Sequence, residues 1–389
     1  MIHQRLESFL QKRRCTLLGV GPMSVNCVDA AVELANEHDV PILLIASRRQ
    51  VDSEEFGGGY VNKWTTAEFA RYVIDLDKKG KVLIARDHGG PWQNSKEKDA
   101  KLSLRRAMES AKSSYRADIE AGFQVLHIDP SVDVHGHPDL DEVLDRLFDL
   151  YEFCWSQAQQ LRQEVIFEIG TEEQSGSTNT PEQLDYTLNA VHLFCKKNRL
   201  PQPSFVVIQS GTRVMETRNV GSFDTPVRVA DELPAEIQIP KMIEICNRYG
   251  ILMKEHNTDY LSDEALQWHP RLSIHAANVA PEFGVTETRA LVSVLEANGL
   301  SKLAERFLQL AYDSKKWDKW MLDNTSATDR DRAIIAGHYV FSKFECAELK
   351  ADASRELAHK GVELEQFLKQ QVKQSIMRYL CNFRLVRSI

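Results

Sequence analysis

The run Val82-Leu-Ile-Ala-Arg-Asp-His-Gly-Gly-Pro91 is apolar for four residues and then turns to charge, imidazole and glycine. An apolar run this short, without strict alternation, fits a strand covered on both faces, as in parallel sheets. Outward from it the same unit recurs. Strand-like runs lie at Thr16–Val20, Ile42–Ala46, Val82–Arg86, Val125–Ile128, Val165–Ile169, Phe205–Ile208, Ile251–Lys254 and Arg271–Ile274. Between them, helical spacing predicts helices over Val28–His38, Thr65–Leu76, Leu102–Ala121, Leu140–Gln163, Pro181–Lys197, Pro240–Arg248 and Glu287–Ala297. Thr180 before Pro181 is a cap and first-turn pair. Eight strands alternating with helices over about 300 residues predict an α/β fold, a (β/α)8 TIM barrel, with an open doubly wound sheet as the alternative.

After Leu300 the strand pattern stops. We expect a barrel over residues 1–300 and a helical C-terminal extension over 301–389, interrupted at Asn324-Thr-Ser-Ala-Thr-Asp329. Such an extension covers one side of the barrel or builds an oligomer contact. Composition agrees with a folded, soluble chain. Of 389 residues, 43% are hydrophobic and 27% charged, too apolar for disorder and sufficient for a core without staples. The formal charge of −8, 48 basic against 56 acidic residues, argues against a nucleic-acid partner. Apolar runs such as Pro41-Ile-Leu-Leu-Ile-Ala46 fall short of the roughly 20 residues that cross a bilayer, so no membrane partner is expected. Met1–Arg14 lacks the apolar stretch of a secretory signal. Seven scattered cysteines without a Cys-x-x-Cys pair read as free thiols of a cytoplasmic protein.

In (β/α)8 enzymes the chemistry stands at the C-terminal ends of the strands. Here those ends are Gly21-Pro22, Ser47-Arg48-Arg49-Gln50, Asp87-His88, Asp129, Gly170-Thr171-Glu172, Gln209-Ser210-Gly211-Thr212-Arg213, His256-Asn-Thr-Asp259, and His275 with Asn278. His88, Glu172 and His256 supply two imidazoles and a carboxylate, a ligand set for a divalent metal with an open position, Zn2+ first of all. Glu168 and Glu173 compete with Glu172 for that role. Asp87, Asp129 and Asp259 are candidates for proton transfer or for orienting the histidines. Arg48, Arg49 and Arg213 suit a phosphate or carboxylate, with Gln50 and Gln209 beside them. Ser210 and Gly211 offer backbone donors of the kind that nest an anion. His275 reads as a ligand or, with Asn278, as a substrate contact. Lys254 near a strand end raises a Schiff-base alternative. His127, His135 and His137 are not read as a metal tract, because the last two lie in a polar loop.

Five of these segments also carry a resemblance. Gln50-Val51-Asp52 with Phe56-Gly-Gly-Gly-Tyr60, Asp87-His88-Gly-Gly-Pro91, Ala121-Gly-Phe123 with His127-Ile-Asp129, Ile169-Gly-Thr-Glu172 and His256-Asn-Thr-Asp-Tyr260 occur in order. They resemble the large subunit of class II D-tagatose-1,6-bisphosphate aldolase, often labelled a tagatose-6-phosphate kinase. The likeness runs from about residue 15 to 300. It implies a barrel related to zinc-dependent ketose-bisphosphate aldolases, acting on a sugar or sugar phosphate. It also implies two alternatives: a ketose or ketose-phosphate epimerase on the same barrel, or a non-catalytic subunit that stabilises an aldolase partner. Gly57-Gly-Gly59 lacks the spacing of a nucleotide-binding loop, so the kinase label gains nothing. The chain departs from the family at Arg48-Arg49, Lys254 and His275-Ala-Ala-Asn278. Those positions ring the expected pocket, so the resemblance does not carry tagatose bisphosphate itself over as the substrate, while the His88, Glu172 and His256 positions are kept.

Overall fold

In the computed structural model, residues 1–171, 180–223 and 234–387 are described. A helix that the sequence reading passes over, α1 (Ile2–Arg13), comes first and buries Ile2, Leu6 and Leu10. Then follow β1 (Leu17–Val20), α2 (Val25–His38), β2 (Ile42–Ser47), α3 (Thr66–Leu76), β3 (Val82–Gly89), α4 (Ser95–Asp99), α5 (Leu104–Ala121), β4 (Val125–Ile128), α6 (Leu140–Leu161), β5 (Ile166–Ile169), α7 (Pro181–Asn198) and β6 (Phe205–Ile208). A two-stranded antiparallel hairpin, β7 (Val214–Met215) and β8 (Arg218–Asn219), precedes α8 (Ala235–Tyr249), β9 (Leu252–Glu255), α9 (Asp263–Leu272), β10 (Ala276–Val279) and α10 (Pro281–Ala297). The strands β1 to β6, β9 and β10 form a closed parallel barrel, with β10 returning to pair with β1. Nearly every strand residue is buried, because side chains fill the barrel on one face and meet helices on the other.

Helix starts follow local chemistry. Thr65, Asp139 and Thr180 each accept the backbone N–H three residues on, while Glu68, Glu142 and Gln183 reach back to the cap. The last barrel strand corrects the sequence reading. Arg271 and Leu272 end α9, Ser273 turns the chain at φ 65°, and the strand is Ala276–Val279. Its small residues lack the branched bulk that advertises a strand. They fit because β1 packs so closely that a Cβ at Gly19 would fall 2.2 Å from Asn278 Oδ1. Two contacts hold α1 across the N-terminal ends of the strands: the Ile2 N–H donates to Glu164, and His3 Nδ1 lies 3.0 Å from Ser204 Oγ.

The extension comprises α11 (Ser301–Asp313), α12 (Asp329–Ala336), α13 (Phe344–Ala358) and α14 (Leu364–Asn382). With α10, helices α11 to α13 share a second apolar cluster that includes Leu291, Phe307, Val340 and Leu349. Helix α14 joins that cluster at its start, then turns Val372, Ile376, Tyr379 and Leu380 into the barrel's own core. Among the described residues no helix is long and apolar enough to cross a membrane.

Candidate metal centre at the mouth of the barrel

β3 loses its register against β4 between Arg86 and Gly89, and His88 adopts φ 45°, a conformation uncommon for a residue with a Cβ. Just beyond, a Cβ on Gly90 would lie 2.2 Å from the Asp129 carbonyl oxygen, so the loops after β3 and β4 touch. These irregularities bring strand-end side chains together. His88 Nδ1 is 2.6 Å from Asp129 Oδ2, and its Nε2 is 3.1 Å from His256 Nδ1. His256 Nε2 is 3.0 Å from Glu168 Oε1, and Lys254 Nζ donates to Glu168 Oε2 at 2.6 Å. One proton arrangement satisfies the whole chain: a doubly protonated His88 donates to Asp129 and His256, and His256 donates to Glu168. His127 stands opposite Glu168 in the β4–β5 register. Its Nδ1 accepts the His88 backbone N–H at 3.1 Å, while its Nε2 has no partner among the described residues.

Burial alone would push the His88 imidazolium down. The carboxylates of Asp87 and Asp129 outweigh it and raise its pKa to about 9. Burial would likewise raise Asp129, but its bond to His88 and that ring's charge hold the carboxyl well below its usual range. Glu168 is also held well below its range: Lys254 and the imidazoles of His127 and His256 overcome burial. At His127 burial wins, bringing the ring down to about 4, so it is neutral at pH 7.

Ligand atoms of His88, His127 and His256 lie within 4.8 Å of one another, and so do those of Asp87, His127, Glu168 and His256. Imidazole nitrogens and carboxylate oxygens in this number suit zinc and similar divalent ions. The fit has a condition: the ion must displace the His88 proton and replace the His88–His256 hydrogen bond. His127 would use Nδ1 only by releasing the His88 amide. A cavity of about 590 Å³ beside α1, lined by His3, Trp155 and Phe167 among others, lies at the other end of the barrel, away from this cluster.

Residues 5–193 match the family described as D-tagatose-1,6-bisphosphate aldolase subunit GatZ/KbaZ-like. Over that stretch, the chain is similar to this family. The GatZ/KbaZ-like stretch holds Asp87, His88, His127, Asp129 and Glu168, and ends before His256. Among solved structures, the chain resembles a probable tagatose 6 phosphate kinase from Sinorhizobium meliloti 1021, with 18% identity and a TM-score of 0.72, covering 94% of this chain and 100% of that one. It also resembles the fructuronate-tagaturonate epimerase UxaE from Cohnella laeviribosi, with 11% identity and a TM-score of 0.58 over 98% and 86% of the two chains. A fructose-bisphosphate aldolase from Campylobacter jejuni matches at 11% identity and a TM-score of 0.53, over 97% and 93%. At these identities the likeness shows the fold.

On this barrel, several residues singled out in the sequence meet at the mouth and others do not. Asp87 lies beside His256, its Oδ1 3.9 Å from Nε2, and accepts from Asn278 Nδ2 at 3.2 Å. Asp259 is buried and accepts the N–H groups of Ala280 and Glu282, capping α10. Glu172 lies outside the described residues. Arg48 is buried in the loop wall, bonded to Asp52 at 3.1 Å and Glu97 at 2.7 Å. Gln50 accepts from the Ser47 N–H and hydroxyl, both at 2.9 Å. Ser210 donates to Glu255, Gly211 adopts φ 87°, Gln209 is buried and Arg213 is exposed. Arg49 is exposed. His275 requires a correction: it precedes β10 and accepts the Met253 N–H at 3.1 Å, at the end of the barrel remote from His88. The misplaced strand explains it. His127 and Glu168, by contrast, enter the centre, although the strand-end reading passes over the first and ranks the second below Glu172.

The extension roofs this mouth. The Glu216 N–H, at the β7–β8 turn, donates to the Trp320 carbonyl at 2.7 Å. Ser342 donates to the Tyr60 carbonyl at 2.7 Å and accepts from the Asn62 N–H. The rings of Tyr60 and Tyr339 stand 4.8 Å apart.

Proposed function

We propose that the protein is a divalent-metal-dependent carbohydrate enzyme that cleaves a ketose phosphate by a reversible aldol reaction, with Zn2+ as its ion. The observation that carries this reading is the cluster of His88, His256, Glu168 and His127 beside Asp87 at the C-terminal end of the barrel strands. His88 and His256 would hold the ion together with Glu168, or with Glu172. A bound ion there supplies Lewis-acid polarisation of the sugar's ketone. Asp129 positions rather than reacts: its oxygens accept from Ser131, Gln93 and His88, and so fix the His88 ring. Asp87 is the residue assigned to move the proton of the cleaved carbinol, because it is partly exposed and beside His256. Asp259 holds the start of α10 behind the loop that carries His256.

Release and re-addition on the opposite face of the carbonyl would make the same parts a ketose epimerase. Product stereochemistry separates the two outcomes. A second reading, a non-catalytic subunit that stabilises a tagatose-bisphosphate aldolase, draws support from Lys254, whose ammonium already neutralises Glu168. The decisive experiment measures the metal content of the purified protein, then turnover of a ketose-phosphate panel with and without chelator. The proposal expects a bound divalent ion and chelator-sensitive cleavage. A metal-free protein, inactive alone but activating a separate aldolase, overturns it. Activity that survives chelation and disappears in Lys254→Ala replaces it with Schiff-base chemistry. Six of the seven cysteines are buried free thiols, which supports assigning the protein to the cytoplasm.

A further inference from the structure

Arg49 and Lys319 are two neighbouring cations that form no ion pair among the described residues. Arg49 follows β2, and its charge is felt at His88 on one side and at Tyr60, Tyr339 and Lys319 on the other. Lys319 comes from the extension, in the 3-10 turn Asp318–Trp320. Its Nζ lies 4.4 Å from the Trp320 ring centroid and 5.7 Å from that of Tyr339. Lys319 is exposed, and the charges of Arg49, Lys316 and Lys98 act on its ammonium. Arg48, buried beside Arg49, carries its own acids, Asp52 and Glu97, and so is already neutralised. Like charges gathered without an acid repel, and an oxyanion relieves them while accepting their N–H groups. Unused hydrogen-bonding capacity adjoins the pair. The His338 ring, which feels the Lys319 charge, has both nitrogens without partners among the described residues and stands 4.0 Å from the Tyr339 ring.

We infer that Arg49 and Lys319 form the subsite for the oxyanion at the end of the sugar remote from its carbonyl, one cation given by the barrel and the other by the extension. The inference deepens the proposed function and rests on it. It makes the extension part of the substrate site and selects anionic over neutral ketoses. A phosphate ester and a carboxylate share this chemistry, and the test separates them.

Inorganic phosphate and acetate are titrated calorimetrically into the full-length protein, as purified and after chelation, and into Lys319→Met, Lys319→Arg and Arg49→Met. Phosphate binding should weaken about tenfold in both Met variants and persist in Lys319→Arg. Binding of acetate in preference to phosphate, with the same dependence on Lys319, assigns the subsite to a sugar carboxylate. With the matching sugar, Lys319→Met should raise KM about tenfold and leave kcat within about twofold. Failure of either anion to bind, or binding unchanged in Lys319→Met, overturns the inference. Anion binding is read without turnover, so this result and that of the chelator experiment can fail independently.

Discussion

β3 feeds two buried ionic networks from adjacent residues, and they are built of different chemistry. Arg86 goes outward to α5: its Nε and one terminal nitrogen bind both oxygens of Asp118 at 2.8 and 2.5 Å, and the other terminal nitrogen donates to the carbonyls of Ala46 and Val51, both at 2.8 Å. Asp87 and His88 go inward to a network of imidazoles, carboxylates and one ammonium. The outer network uses a guanidinium that never loses its proton, with every nitrogen engaged. The inner one uses imidazoles whose protonation the surroundings set, His88 raised to about 9 and His127 lowered to about 4, and it leaves His127 Nε2 without a partner among the described residues. A saturated, fixed charge serves as scaffold, and an exchangeable, incompletely bonded one can do chemistry.

The sharpest way to break this contrast is Arg86→Met, which leaves Asp118 buried without its cation. It should cost about 3–5 kcal/mol of stability, measured as a fall in the urea midpoint. His256→Ala should instead lower metal affinity about a hundredfold in chelator competition, with a smaller loss of stability. Equal unfolding midpoints for the two variants would erase the distinction. Asp129→Asn should weaken the metal by about tenfold and return His88 from about 9 towards its ordinary 6.5, read by NMR titration of the ring. Because folding raises the His88 pKa, its stabilising contribution is complete below pH 6.5 and is lost as pH rises through about 9. That alkaline loss should shrink in Asp129→Asn. A further test concerns a histidine of neither network, whose effect is confined to acid pH. Burial holds His338 down to about 3, so its contribution is present above pH 6.5 and is lost as pH falls towards 3. His338→Leu should flatten the acid side of a stability profile, and an unchanged slope would show that its ring is not held neutral.

Much of the fold is legible in local pattern, because parallel strands buried on both faces must be apolar and their helices amphipathic. Asp87, His88 and His256 are legible for a related reason: each follows an apolar run at the end where a barrel opens. His127 and Glu168 lie inside β4 and β5, where a search beyond the strand ends passes over them. Their signal was a single titratable residue in the otherwise apolar Val-Leu-His-Ile and Ile-Phe-Glu-Ile. His275 was misplaced because Ala-Ala-Asn-Val, a strand fitted by close approach to Gly19, looks less like one than Arg-Leu-Ser-Ile. The neighbourhood of Arg49 and Lys319 has no local pattern at all, since the roof joins residues far apart in the chain.

Helix α14 lies on α2 and α10, and its Lys369 and Lys373 reach Glu33 across 336 and 340 residues of chain. The first helix of the barrel wall is thus sealed by a segment 336 residues further along the chain. During synthesis, the face of α2 that α14 covers waits until those further residues have been made. Closing this face takes a contact of high sequence separation, a kind that is slow to form and leaves apolar surface open to other partners meanwhile.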